Sequence, residues 1–201
     1  MTGVRLAAVS LTGLAGPWAA LGFAVDAEGR VPLANGALVF GADSMGLVVD
    51  ADRELPADVD GVGIRHGSAV AGIDHPNGAF ELDHVVVMTD SIERTSLAIE
   101  TSLGLEQRRL RETPTVRQAF HRFDDEGDAR ACIIEVVESS RVERTGLWGL
   151  VVNVRDLDAI HAGATDLIGA PKSAVQPGRR IATARATAGF GTAVAFMSTS
   201  A

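Results

Sequence analysis

The sequence predicts an α+β fold built from repeated βαβββ modules, with one extra half-module at the N-terminus. Three observations carry this expectation. The stretch 82–138 opens with LDHVVVMT, continues through a helix-like segment to a turn at Gly104-Leu105, and gives three extended runs, the last being ACIIEVVE. The opening pattern recurs at Val4 as VRLAAVSLT and at Leu147 as LWGLVVNV. Each recurrence leads to a short helix-like stretch and a glycine turn, Gly22-Phe23 in the first copy and Ile168-Gly169-Ala170 in the third. Internal repetition reports architecture directly, because each unit needs a neighbour to bury its apolar face.

The first copy runs from a strand at Val4 through Trp18-Ala19-Ala20-Leu21 to strand-like runs near Ala24, Ala37 and Gly46. Its start, Arg5 followed by LAAVSLTGLAG, imitates a secretory signal, but Gly13, Gly16 and Pro17 interrupt the apolar run and favour a strand followed by a helix. Residues 55–79 carry Pro56, Pro76 and several glycines among short apolar runs such as Val62-Gly63-Ile64, which reads as a linker with room for one extra strand. In the middle copy Ile92, Thr95, Ala98, Ile99 and Leu103 recur at three- and four-residue intervals and lay an apolar stripe along a helix, with Asp90 or Ser91 as its N-cap. Residues 107–111, 116–123 and 131–137 suit pleated strands, and Pro114 and Asp124-Asp125-Glu126-Gly127 mark the turns between them. In the third copy Asp156-Leu157-Asp158-Ala159-Ile160 supplies the helix. The domain reading is a βαβββ-like half-module at 1–54, a linker at 55–79 and a two-module domain at 80–201.

Of the 201 residues, 46% are hydrophobic and 22% charged, a globular balance. A formal charge of −8 and a pI of about 5.1 argue against nucleic acid and anionic membranes as partners, since their phosphates would be repelled. No run reaches the roughly 18 apolar residues of a membrane helix. The single cysteine, Cys132, lies in an apolar run and can form no internal disulfide, which fits a reducing compartment. The expectation is a cytoplasmic protein whose partner is a small molecule.

The order βαβββ twice over, with LDHVVV opening one module and IIEVVE closing it, resembles the vicinal oxygen chelate superfamily of glyoxalases, extradiol dioxygenases and bleomycin-resistance proteins. The likeness covers 82–198 well and 1–52 weakly. It implies two modules paired into a cup of curved mixed sheet with helices outside. It also implies a divalent metal, such as zinc, iron, manganese or nickel, held from the first and fourth strands of each module. His84 and Glu135 match the first module's ligand pair. In the third copy Gly149 falls where the second histidine would stand and Phe196 where the second acid would stand, and neither can bind metal. Two protein ligands are fewer than the usual three of a catalytic site. Either His66, His75 or His121 completes the set or the metal has been lost.

Strict alternation along the opening strand puts His84, Val86 and Met88 on the cup face and Asp83, Val85 and Val87 on the helix face. Glu135 sits between Ile134 and Val136, where an unpartnered carboxylate is costly to bury. A structural alternative stays open, with His84 satisfying a backbone group and Glu135 pairing with Arg109, Arg117 or Arg130. Gln118 and His121 have opposite parity, and Gln118, in phase with Phe120, is expected to look inward. His75 reads as a turn residue and Trp148 as core or rim packing. In the basic run AVQPGRRIATAR at 174–185, Arg180 is the guanidinium expected to bind a ligand, the alternatives being a solvated edge strand or a subunit contact. Two functions follow: a small-molecule-binding cup with a degenerate metal site, or a metal-dependent lyase, isomerase or dioxygenase. An unpaired N-terminal module either packs on the linker or pairs with the same unit of another chain, which favours a homodimer.

Overall fold

The computed structural model describes residues 3–124 and 130–198, so most of the turn expected at 124–127 lies outside the described residues. The N-terminal part consists of β1 (Arg5–Ser10), a five-residue helix α1 (Gly16–Ala20), β2 (Val31–Leu33), β3 (Gly36–Val39), β4 (Gly46–Asp50), β5 (Asp58–Val59) and β6 (Val62–His66). These strands form one six-stranded sheet in the order β2-β3-β1-β4-β6-β5. β1 and β4 run antiparallel at its centre, with β3 parallel to β1 and β6 parallel to β4. The sheet is thus two short units of one design, each an opening strand whose following hairpin returns alongside it. The sequence reading expected a single half-module and a linker; here the stretch read as linker supplies the hairpin β5-β6. The first unit therefore finds its partner within the chain, and the open sheet face that argued for a homodimer is already paired.

The C-terminal part carries two βαβββ modules. The first is β7 (Ala79–Thr89), α2 (Ile92–Leu103), β8 (Gln107–Thr113), β9 (Val116–Arg122) and β10 (Ile133–Glu138); the second is β11 (Gly146–Val154), α3 (Leu157–Gly163), β12 (Lys172–Ser173), β13 (Arg180–Thr183) and β14 (Ala193–Ser198). All eight strands join in the order β12-β13-β14-β11-β7-β10-β9-β8. The opening strands β7 and β11 are antiparallel at the centre, and each has its module's last strand parallel beside it. Laid flat, eight strands would span about 34 Å at roughly 4.8 Å spacing. Residues of both edge strands nevertheless line one cavity, so the sheet is curled into a cup.

Helix α2 begins where the Ser91 hydroxyl accepts the Arg94 amide and ends at Gly104, whose φ of 73° is the left-handed conformation that suits glycine. Its buried stripe is Ile92, Thr95, Ser96, Ile99 and Leu103. His121 lies buried beneath it, its ring nitrogens bonded to Leu105 O at 2.8 Å and Ser96 Oγ at 3.1 Å. The convex face of the cup, including Val85, Val87, Ile134, Val136, Val152 and Phe196, belongs to one core continuous with the N-terminal sheet. Trp18 packs edge-on against Phe23 and Phe190, and Phe23 in turn meets Phe196 with ring centroids 6.1 Å apart. His75 opens the turn expected there, its carbonyl accepting the Gly78 amide at 2.8 Å, and its ring is buried in this seam, where it accepts the Ala24 amide at 3.0 Å and meets Pro32 O at 2.8 Å. Among the described residues no helix is long and apolar enough to cross a membrane.

Candidate functional site

The concave face encloses a cavity of about 1100 Å³, and a row of hydrogen-bonded polar side chains runs across its floor from strand to strand. On β8, Arg111 donates to Gln118 Oε1 of β9 at 2.6 Å; the Gln118 amide nitrogen donates to Glu135 Oε1 of β10. Glu135 Oε2 lies 3.1 Å from His84 Nε2 on β7, and His84 Nδ1 lies 2.8 Å from Asp83 Oδ2. Asp83 Oδ1 receives Arg179 Nη1 at 2.7 Å and Asn153 Nδ2 of β11 at 3.0 Å; Asn153 also donates to Glu81 at 2.8 Å. His84 and Glu135 each keep 13% of their side-chain surface exposed, whereas Asp83 keeps 3%.

A β-bulge makes this row. His84 pairs with Val151 and Leu82 with Val152, leaving Asp83 as an extra residue between them. Alternation expected Asp83 on the helix face; the bulge turns it onto the cup face beside His84. Burial acts to raise the Asp83 carboxyl, but the hydrogen bonds and charges of His84 and Arg179 outweigh it and hold the group well below the usual carboxylate range. With Asp83 ionised, His84 Nδ1 carries a proton toward it. His84 Nε2 and Glu135 Oε2 thus place an imidazole and a carboxylate side by side at the cavity, side-chain types that serve in acid–base chemistry.

Of the residues expected at the site, the structure brings His84, Gln118 and Glu135 together at the cavity. Val86 and Met88 share the face of His84 but stand further along β7, opposite Gly149 and Gly146, and do not line the cavity. Arg180 points away and pairs with Asp158 of α3 at 2.6 Å. Its neighbour Arg179 enters the floor instead, being in phase with the cavity-lining Ile181 and Thr183, while Arg180 shares the parity of buried Ala182. Among the described residues Glu135 takes no arginine partner: Arg117 is engaged by Glu93, Glu112 and Glu138 on the other face of the sheet. Arg111, Lys172 and Asn153 were not singled out by sequence, and Arg109 only as an ion-pair partner.

The donor set does not fit the metal that the resemblance implies. The second-module counterparts of His84 and Glu135 are Gly149 and, by strand pairing, Ala195; Phe196 turns into the core. At Gly149 a Cβ would lie 2.6 Å from Ala193 O, so no histidine can stand there without backbone movement. His66 lies in the other sheet, where it accepts the Leu55 amide, and His75 and His121 are held in the core. Among the described residues, no three histidine, cysteine or acidic side chains are placed to share a metal ion.

No family model matches the chain, and no curated protein matches its sequence. Solved structures do match. A variant of the Streptomyces coelicolor methylmalonyl-CoA epimerase in complex with 2-nitronate-propionyl-CoA aligns at 18% identity and a TM-score of 0.50 over 60% of this chain and 95% of its own. The methylmalonyl-CoA epimerase from Mycobacterium tuberculosis aligns at 15% identity and a TM-score of 0.51 over 63% of this chain and 92% of its own. These enzymes belong to the vicinal oxygen chelate superfamily. The chain has the vicinal oxygen chelate fold. Within that fold its cup is asymmetric, with polar groups from the first module facing apolar or absent side chains from the second.

Proposed function

We propose that the cup binds a small molecule without a resident metal ion, with His84, Glu135 and Gln118 as its polar floor. The observation that carries this reading is a cavity of about 1100 Å³ built around the His84–Glu135 pair, facing second-module positions that offer no donor. Such a volume suits an organic ligand rather than an ion. A metal-dependent lyase, isomerase or dioxygenase would need a third protein donor that the described residues do not place there.

The test uses protein purified without an affinity tag. Elemental analysis is expected to find metal well below one equivalent. A thermal-shift screen of small molecules, with acyl-CoA thioesters included, is expected to give hits that weaken in Glu135→Gln and His84→Ala. Stoichiometric metal lost in both variants would install the enzyme reading instead. Strong destabilisation of Glu135→Gln, with no ligand shift in the parent, would make the pair purely structural. Light scattering at micromolar concentration checks the homodimer, and a monomer ends that expectation.

A further inference from the structure

We infer that the molecule taken by this cup is an amphipathic organic anion, its charged oxygen group held between the two edges of the sheet and its apolar body against the hydrocarbon part of the cavity lining. This deepens, and rests on, the small-molecule reading above. Arg109 and Arg111 stand two residues apart on one face of β8, and Lys172 stands on β12. β8 and β12 are the opposite edges of the eight-stranded sheet, yet all three cations line the same cavity. Curling of the sheet has therefore brought two separate edges to one cavity, with positive charge on both.

Like Arg53 and Arg155, and unlike several other cations of the chain, these three are not neutralised by a carboxylate among the described residues. Arg30, Arg94, Arg117 and Arg180 each meet a carboxylate between 2.6 and 3.0 Å. Arg109, Arg111 and Lys172 have no carboxylate partner among the described residues, although the chain carries 26 acidic side chains. The acids lining the cavity are engaged elsewhere: Asp83 by Arg179, Glu135 by His84 and Gln118, and Asp124 by the Val4 amide at 2.6 Å. Arg109 lies over the Phe120 ring with its guanidinium carbon 5.8 Å from the centroid, and Arg111 gives one N–H to Gln118. Each guanidinium has five N–H donors, so both keep several for a ligand.

Guanidinium groups hold carboxylate or phosphate through paired N–H bonds, and a lysine adds a point charge. At a net charge of −8 the protein as a whole repels anions. That repulsion is screened beyond about 8 to 10 Å in ordinary salt, so groups in direct contact decide what enters. The same cavity is lined by apolar side chains, Ile133, Ile181, Met197 and Ala174. The ligand thus meets cations from both edges of the sheet, hydrocarbon from these side chains, and the His84–Glu135 pair.

The experiment is isothermal titration calorimetry with octyl phosphate, octanoate and octanol against the full chain and against the triple variant Arg109→Gln, Arg111→Gln, Lys172→Gln. The parent is expected to bind at least one of the anions at least about tenfold more tightly than octanol. The triple variant is expected to bring that anion down to the level of octanol while leaving octanol unchanged. Preference between the two anions tells phosphate from carboxylate. Anions no tighter than octanol, or undiminished in the variant, overturn this inference and leave the cup reading standing. Binding of none of the three overturns it as well, and the ligand screen then decides the cup reading alone. If the triple variant does not unfold cooperatively, single Lys172→Gln at the exposed edge replaces it, and an undiminished anion affinity there overturns the inference equally.

Discussion

The module from β7 to β10 and the module from β11 to β14 correspond strand for strand, and across the centre His84 pairs with Val151 as Gly149 pairs with Val86. Both opening strands carry a bulge at the same place, leaving Asp83 in one module and Trp148 in the other as the extra residue. On the convex face the two agree in character: Val85 and Val87 correspond to Leu150 and Val152, all buried. On the concave face they part, with His84 against Gly149, Glu135 against Ala195 and buried Asp83 against a Trp148 that is 56% exposed. The core holds one face of each strand to apolar residues, because every exposed methylene there would forfeit burial. The cup face is free of that constraint, so the two modules can differ there.

The sharpest break in this comparison is Asp83→Ala beside Trp148→Ala. Removing Asp83 leaves the buried Arg179 guanidinium without its counter-charge, which should cost about 3 to 5 kcal/mol in urea unfolding. Trp148→Ala at the matching, exposed position should stay within about 0.5 kcal/mol. The same carboxyl has a pH signature. Its folded value lies below the ordinary 3.8, so its contribution is full above that pH and declines as the pH falls beneath it. Asp83→Asn should flatten that acid limb, and an unchanged limb would remove Asp83 from the network.

A smaller effect is expected at the glycine that replaces the histidine. Gly149→Ala forces a contact with Ala193 O and should cost about 1 to 3 kcal/mol through the backbone shift it demands. A neutral outcome would mean that the second module can reopen, and Gly149→His would then be worth building. A small effect is expected for Arg180→Ala as well. Its pair with Asp158 is solvent-exposed on both sides, so melting should move by the equivalent of at most about 1 kcal/mol.

The modules themselves were legible in sequence, because LDHVVV and LWGLVV carry the strand signal and the stripe through Ile92, Thr95, Ile99 and Leu103 carries the helix. Gln118 and Glu135 were legible by parity, since no bulge interrupts the pairing of β9 with β10. Asp83 was not, because a bulge depends on how the partner strand pairs and leaves no mark in its own alternation. Arg179 could have been found from its phase with Ile181 and Thr183. The hairpin β5-β6 also had a signal: Asp60-Gly61, both at positive φ, is the two-residue turn that favours this dipeptide, hidden by the surrounding glycines and prolines. The cations at the two sheet edges needed the curl of the whole sheet, since Lys172 lies far along the chain from Arg109 and Arg111.

The bulge in β7 makes the central strand behave as two shorter strands joined with a half-period slip. Glu81 and His84, an odd number of residues apart, both join the polar row that runs through Asn153 and Asp83, while Leu82 and Val85, also an odd number apart, both enter the core. Two adjacent residues, Asp83 and His84, can therefore touch on the same face, a density of polar groups that a regular strand forbids. Anyone grafting this floor onto another sheet must transplant the slip along with the side chains. On an unbroken strand the same sequence would drive the Asp83 carboxylate into hydrocarbon and leave His84 facing the cavity without its anchor.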